Sequence, residues 1–210
     1  MSAKDEILGR IRTALADTPA TEEVPREYRT TSTMSQEQLI ELLVDRLVDY
    51  KAGVDVIEAE QIPEFVASKL KDASSVVYPQ GLDAGWLSAM GSEVELRLDA
   101  PGARLSVAEL DATSAVVTSS AVSVAESGTI ILDGQPDQGR RAISLVPDHH
   151  VCIVPVSTIV QLLPEAMPRL SITRPLTWIS GPSATSDIEL ERVEGVHGPR
   201  TLDVLMVRGL

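Results

Sequence analysis

Aromatic side chains are scarce in this chain: one Phe, two Trp and three Tyr stand among 210 residues. The core is therefore expected to be aliphatic, and the scarcity argues against a platform that stacks the bases of single-stranded nucleic acid. Cationic residues are also in short supply. Eighteen Lys and Arg face 31 Asp and Glu, for a formal net charge of −13. Such a surface repels a phosphate backbone, so nucleic acid is not an expected partner. The one cysteine, Cys152, has no partner for an internal disulfide. It also falls short of the roughly four thiolates that hold an iron–sulfur cluster. It lies in the apolar run VCIVPV, where a lone Cys behaves as a small hydrophobe. No run approaches the roughly 18 apolar residues of a membrane span. The charged opening MSAKDEILGR lacks the apolar stretch of a secretory signal. A soluble cytoplasmic protein is expected. No Walker A pattern, no GxGxxG after a strand-like run, no GxSxG elbow and no HExxH is present.

What is present suits one α/β domain over residues 34–210, preceded by a helix and linker over residues 1–33. Ser2 and Asp5 form a capping-box pattern, and Ile7, Leu8, Ile11 and Leu15 recur at helical spacing. This helix packs either on its own body or on another subunit. Residues 18–33 are rich in Thr, Glu and Pro and read as a linker. A second helix starts at Ser35, with Gln38 completing the cap, and carries Leu39, Ile40, Leu42, Leu43, Leu47 and Val48. Strand-like runs follow at 54–57, 75–78, 94–96, 115–117, 129–132, 151–156, 176–179 and 202–207. Helical patterns such as Ile62, Phe65, Val66 and Leu70 lie between some of them. Several runs are continuously β-branched, the mark of strands buried on both faces. Their alternation with helices predicts a mostly parallel sheet flanked by helices. Residues 115–132 hold strand-like runs with no helix between, so part of the sheet is expected to be antiparallel.

Four segments carry candidate chemistry. In Glu126-Ser127-Gly128-Thr129 a carboxylate stands beside a Gly at a turn into a buried strand. It is either a nucleophile or base, or a solvated Glu on a tight turn. In the block SGPSATSDIE, Gly181-Pro182 makes a turn, and Ser183, Thr185 or Ser186 is expected to cap a short helix starting near Asp187. Ligands bind where a strand's carboxyl end meets the next helix. Asp187 and Glu189 in that first turn would repel a phosphate. Hydroxyl or amide recognition, a bound cation and plain capping remain as alternatives. In Gly195-Val196-His197-Gly198-Pro199 the histidine is an acid, base or ligand, or else a structural or solvated loop residue. In Pro147-Asp148-His149-His150 the adjacent histidines begin a strand. They therefore point to opposite faces and do not share one metal easily. Gly139-Arg140-Arg141 is a small basic spot that either grips a carboxylate in two-pronged fashion or pairs with surface acids.

The strings AESGTIIL, GRRAISLVPDHHVCIVP, the helix IVQLLPEA, SGPSATSDIE and GVHGP occur in this order. Together they resemble the LutC/YkgG family of LUD-domain proteins, the lactate-utilisation protein C group. The resemblance covers roughly residues 51–210 and is strongest from Ala125 onward. It implies a fold like that of the NagB/RpiA/CoA-transferase superfamily. It also implies a non-redox subunit in the oxidation of L-lactate to pyruvate, binding no cofactor directly. LutA-like and LutB-like iron–sulfur partners would carry the electrons. The pocket expected on this basis holds Glu126, Asp187 and His197 as catalytic candidates. Ser127, Gly128, Thr129, Ser180, Gly181, Pro182, Ser183, Thr185, Glu189, Gly195 and Gly198 would bind the ligand, and no metal is expected. Lactate, pyruvate or an acyl-CoA is the implied small molecule. The alternatives are a CoA-transferase-like enzyme in which Glu126 attacks the acyl group, and a regulatory or interaction module. One departure stands out. Family members often carry a Gly near Val116 and an acidic residue near Ala121, where this chain reads VVTSSAVSVAESGT. A mechanism that needs that carboxylate lacks it here.

Overall fold

Ser35 caps the first helix of the body as its spacing predicts. Its hydroxyl accepts the Gln38 amide, and the Gln38 side chain accepts the Ser35 amide. The protein, a computed structural model, is described over residues 2–16, 24–171, 173–185, 193–194 and 198–210. In chain order the elements are α1 (Ala3–Ala14), α2 (Gln36–Asp49), β1 (Gly53–Glu58), α3 (Ile62–Lys69), β2 (Ser75–Pro79), β3 (Glu95–Asp99), α4 (Val107–Asp111), β4 (Ala115–Ser119), β5 (Val122–Val124) and β6 (Thr129–Leu132). They continue as α5 (Arg141–Leu145), β7 (His149–Pro155), β8 (Ile159–Val160), α6 (Leu163–Ala166), β9 (Thr177–Ile179), β10 (Ala184–Thr185), β11 (Val193–Glu194) and β12 (Thr201–Arg208).

The main sheet has the order β1-β12-β7-β4-β2-β3, and every pairing in it is parallel. Its central strands β4, β7 and β12 are buried on both faces, which is why their sequences run apolar without alternation. Successive side chains then serve opposite layers. Cys152, Val154, Val204 and Met206 meet the buried stripe of α2, which is Leu39, Ile40, Leu43 and Leu47. Val151, Ile153, Leu205 and Val207 meet Ile62, Val66 and Leu70 around α3.

Within residues 115–132, β4 joins the parallel sheet, while β5 and β6 leave it and bring in the antiparallel pairing that the run of strand-like segments predicts. β5 pairs antiparallel with β6, β6 antiparallel with β9, and β5 parallel with β8, giving a separate four-stranded sheet. One face of it supplies Ala125, Ile130 and Leu132 to the α2 layer. Its other face buries Val122, Val124 and Ile131 with Ala166 and Leu170.

Several expectations change in detail. In IVQLLPEA the β-branched pair Ile159–Val160 is strand, drawn into register with Ser123 and Val124, and only Leu163–Ala166, with Pro164 in its first turn, is helical. The strand expected at 94–96 runs from Glu95 to Asp99 on the sheet edge, where Leu96 and Leu98 stay exposed. The first helix forms with its Ser2–Asp5 capping box, but none of its residues is buried; Ile7 and Ile11 are 58% and 48% exposed. Among the described residues nothing covers its apolar stripe. The described end of the linker is tied down: the Ser32 amide donates to Glu165 at 2.9 Å and the Ser32 hydroxyl to Gln161 at 2.9 Å. Among the described residues no helix is long and apolar enough to cross a membrane.

Candidate functional site

Two of the sequence motifs meet in space. β6 and β9 pair so that Ile130 faces Ile179, which brings the Ser127–Thr129 turn against Ser180. A hydroxyl chain joins them, with 2.8 Å between Ser127 and Thr129 and 3.0 Å between Thr129 and Ser180. Gly128 and Gly181 both adopt positive φ, 61° and 88°. A side chain on either would collide with the end of α2. A Cβ on Gly128 would lie 2.7 Å from the Arg46 Cβ, and one on Gly181 would lie 2.6 Å from the Tyr50 Cβ. The end of α2 thus lies directly against both glycines. Glu126 turns outward, its side chain 39% exposed, and accepts two hydrogen bonds from the Arg29 guanidinium at 2.8 and 2.9 Å.

Beside this junction lies a crevice of about 200 Å³ at the amino ends of β7 and β12. Ser180, Gly181, Pro182 and Ser183 form one wall, Ser144 and Leu145 of α5 another, and Gly198 lies at its edge. Ser183 does not begin a helix. Its amide donates to the Pro199 carbonyl at 2.8 Å, and Ala184–Thr185 pairs antiparallel with Val193–Glu194. The short helix expected to start near Asp187, with Ser186 as a further candidate cap, lies outside the described residues. His150 closes the crevice. It is fully buried, and its Nε2 lies 2.8 Å from the Thr118 hydroxyl. Its Nδ1 has no hydrogen-bond partner among the described residues. Burial, with a smaller contribution from nearby His149, pushes its pKa down to about 3, so the ring is neutral near pH 7. His149 points the other way, to Asp203 at 2.8 Å. The two histidines therefore face apart, as their place on a strand predicts. Asp187, Glu189, Gly195 and His197 lie outside the described residues.

A second, larger cavity of about 800 Å³ opens at the opposite end of the main sheet, beyond the carboxyl ends of β2 and β3. Its wall joins Pro79 at the end of β2 and Gly81 beyond it, Arg104 after β3, Gly134 and Pro136 after β6, and Arg174 before β9. Arg140 is built into its floor. The guanidinium forks onto Asp99, from Nε at 2.9 Å and from Nη2 at 2.8 Å, and Nη2 also donates to the Leu105 carbonyl at 2.5 Å. Asp99 is 5% exposed and also accepts the Leu105 amide. The basic spot at Arg140-Arg141 thus divides: Arg140 grips a buried carboxylate in the two-pronged manner, while Arg141 stays exposed at the cavity. Sequence reasoning found Arg140 and Arg141 but missed Arg104 and Arg174. The signal available was the Pro- and Gly-bearing segments after strand-like runs, Pro79-Gln80-Gly81 and Gly134-Gln135-Pro136, which mark loops at strand ends.

Residues 40–207 match the family model described as the LUD domain. A lactate utilization protein C of Deinococcus radiodurans is 45% identical over 209 residues, covering 98% of this chain and 95% of the relative. A lactate utilization protein C of Oceanobacillus iheyensis is 24% identical, covering 97% of each chain. The crystal structure of a DUF162 family protein from Deinococcus radiodurans superposes with a TM-score of 0.70 at 37% identity. It covers 83% of this chain and 99% of that one.

Proposed function

Because this chain belongs to the LUD domain family, we propose that it serves L-lactate utilisation in the cytoplasm, as a ligand-binding subunit without a redox centre of its own. The observation that carries the lactate assignment is the 45% identity, over nearly the whole of both chains, to a protein named for lactate utilisation. The non-redox assignment rests on side-chain chemistry. One cysteine falls short of the roughly four thiolates of an iron–sulfur cluster. Burial pushes the Cys152 thiol up to about 12, so it stays protonated and is a poor metal ligand. Electrons released when lactate becomes pyruvate then pass to partner proteins, of the LutA-like and LutB-like iron–sulfur type. The test is deletion of the gene in its own host. Growth on L-lactate as sole carbon source is lost and returns with a plasmid copy. Undiminished growth, in a host with no second copy of such a gene, sinks the proposal.

The acyl-transfer alternative depends on Glu126. That carboxylate lines neither of the two concavities and is held by Arg29. Incubation with a panel of acyl-CoA thioesters, followed by mass analysis of the peptide bearing Glu126, is expected to show no adduct.

A further inference from the structure

The cavity at the carboxyl ends of β2 and β3 has a charge pattern that the other described residues do not share. Seven described arginines, Arg10, Arg29, Arg46, Arg97, Arg140, Arg200 and Arg208, are paired with carboxylates. That is the ordinary outcome on a chain with 31 acidic residues. Arg104, Arg141 and Arg174 are not: all three are exposed, line the cavity and form no ion pair with a described residue. Arg12, Arg26 and Arg169 are also without an ion pair among the described residues, but they line neither concavity. The three cavity arginines come from three different segments: the loop after β3, the start of α5 and the loop before β9. The fold gathers them at one opening. The cavity lining holds four guanidiniums and one carboxylate, Asp99, and Arg140 already neutralises that carboxylate.

We propose that this cavity binds a phosphate-bearing organic molecule, with Arg104, Arg141 and Arg174 on the phosphate and the Pro- and Gly-lined walls on the organic body. Three guanidiniums with no ion pair to a described residue present more charge than a monocarboxylate such as lactate neutralises, and the planar fork of Arg matches phosphate oxygens two at a time. The position agrees, since ligands of parallel α/β sheets bind outside the carboxyl ends of the strands. The size also agrees: about 800 Å³ lies within the range that encloses a ligand of several rings. Pro79, Pro101, Pro136 and Pro175 contribute stiff apolar wall and no amide donors. A cationic concavity on a chain of net charge −13 draws anions to this opening and repels them from most other surfaces. Arg140 is a positioning residue here. Bound to Asp99 and the Leu105 carbonyl, it fixes the loop that carries Arg104 against the start of α5.

The assignment stands apart from the lactate reading, and calorimetric titration of the full chain tests it. The probes are pyrophosphate, adenosine diphosphate, adenosine, citrate and L-lactate. Both phosphate-bearing probes bind, and adenosine diphosphate binds more tightly than pyrophosphate because its body fills the walls. Adenosine, citrate and lactate bind more weakly than either. Arg141→Gln with Arg174→Gln lowers the affinity for both phosphates by about tenfold or more. Raised salt lowers it further in the unaltered chain. Both arginines are exposed and form no ion pair with a described residue, so the double variant keeps its unliganded melting temperature, and Arg12→Gln serves as a distant control that changes nothing. The proposal is overturned if neither phosphate binds below about 10 mM, if the double variant binds them as well as the unaltered chain, or if citrate outcompetes both.

Discussion

The two concavities occupy opposite ends of one six-stranded sheet and are built by opposite means. At the amino end the walls are hydroxyls, a neutral buried histidine and glycines pressed against α2. Little of the polarity there is charged. At the carboxyl end the walls are stiff and apolar, and the polarity is concentrated in guanidiniums. The sequence is most distinctive at the amino end, where Ser127 to Thr129 and Ser180 to Ser183 converge. Much of that distinctiveness answers to packing. Gly128 and Gly181 are glycine because Arg46 and Tyr50 occupy the space a side chain would need. The carboxyl end looks ordinary in sequence, because its arginines are spread over about 70 residues and each resembles a surface charge. Density of unusual residues therefore marks tight backbone contact in one place, and convergent chemistry passes unmarked in the other.

This contrast is open to experiment, first at the carboxyl end. Asp99→Ala strips Arg140 of its partner and leaves a partly buried guanidinium facing only the Leu105 carbonyl. The expected loss is about 3 kcal/mol in urea unfolding, in line with breaking a buried pair from one side. Asp99→Asn, which keeps one acceptor oxygen, is expected to lose less. A loss near zero for Asp99→Ala means that the floor of the cavity is not held by this fork.

At the amino end the leading effect is one of pH. The folded pKa of His150 lies at about 3, below the ordinary value of about 6.5, because burial disfavours the charged ring. Between those values the unfolded chain binds a proton that the folded chain refuses. Stability is therefore complete above the ordinary histidine value and declines as pH falls through it. Going from about pH 6 to about pH 4.5 is expected to cost about 2 kcal/mol through this group. His150→Gln keeps a neutral polar side chain beside Thr118 and removes that part of the slope. Urea midpoints measured across this range decide the matter, and parallel slopes for the two proteins would show that His150 titrates normally in the folded state.

The difference between two glycines is the smallest effect and the most direct comparison. Gly181→Ala combines positive φ with a Cβ 2.6 Å from Tyr50, so the strain of the left-handed conformation adds to a displaced contact, for a loss of about 2–3 kcal/mol. Gly134, on the cavity wall, also has positive φ at 70°, but the nearest atom to an added Cβ lies 3.8 Å away. Gly134→Ala is expected to cost about 1 kcal/mol, the conformational part alone. Equal melting-temperature losses would mean that Tyr50 moves aside freely and that the amino end is no more tightly packed than the carboxyl end.

Much of the fold was legible before any coordinates. The caps at Ser2 and Ser35, the apolar stripe of α2 and the continuous runs of β4, β7 and β12 depend on neighbours a few residues away, and sequence records those neighbours. The same holds for the opposite aim of His149 and His150. The misreading came where a distant strand took over. Ile159–Val160, helical by its pattern, is a strand because β5 pairs with it. The site was less legible than the fold. The motifs at Glu126 and Ser180 were seen, but that Thr129 and Ser180 touch while Glu126 turns away to Arg29 depends on the β6–β9 register and on a strap 97 residues upstream.

Composition and short-range pattern were enough to establish an aliphatic α/β chain with a capped amino-terminal helix, too few thiols for a cluster and a recognisable family. Those properties are sums over residues or relations within one turn or strand. The placement of Arg104, Arg141 and Arg174 around one opening, and the choice of α2 as the neighbour of both glycines, came from the order in which strands join the sheet. That order is set by burying all the apolar faces at once, a condition on the whole chain that no single segment carries.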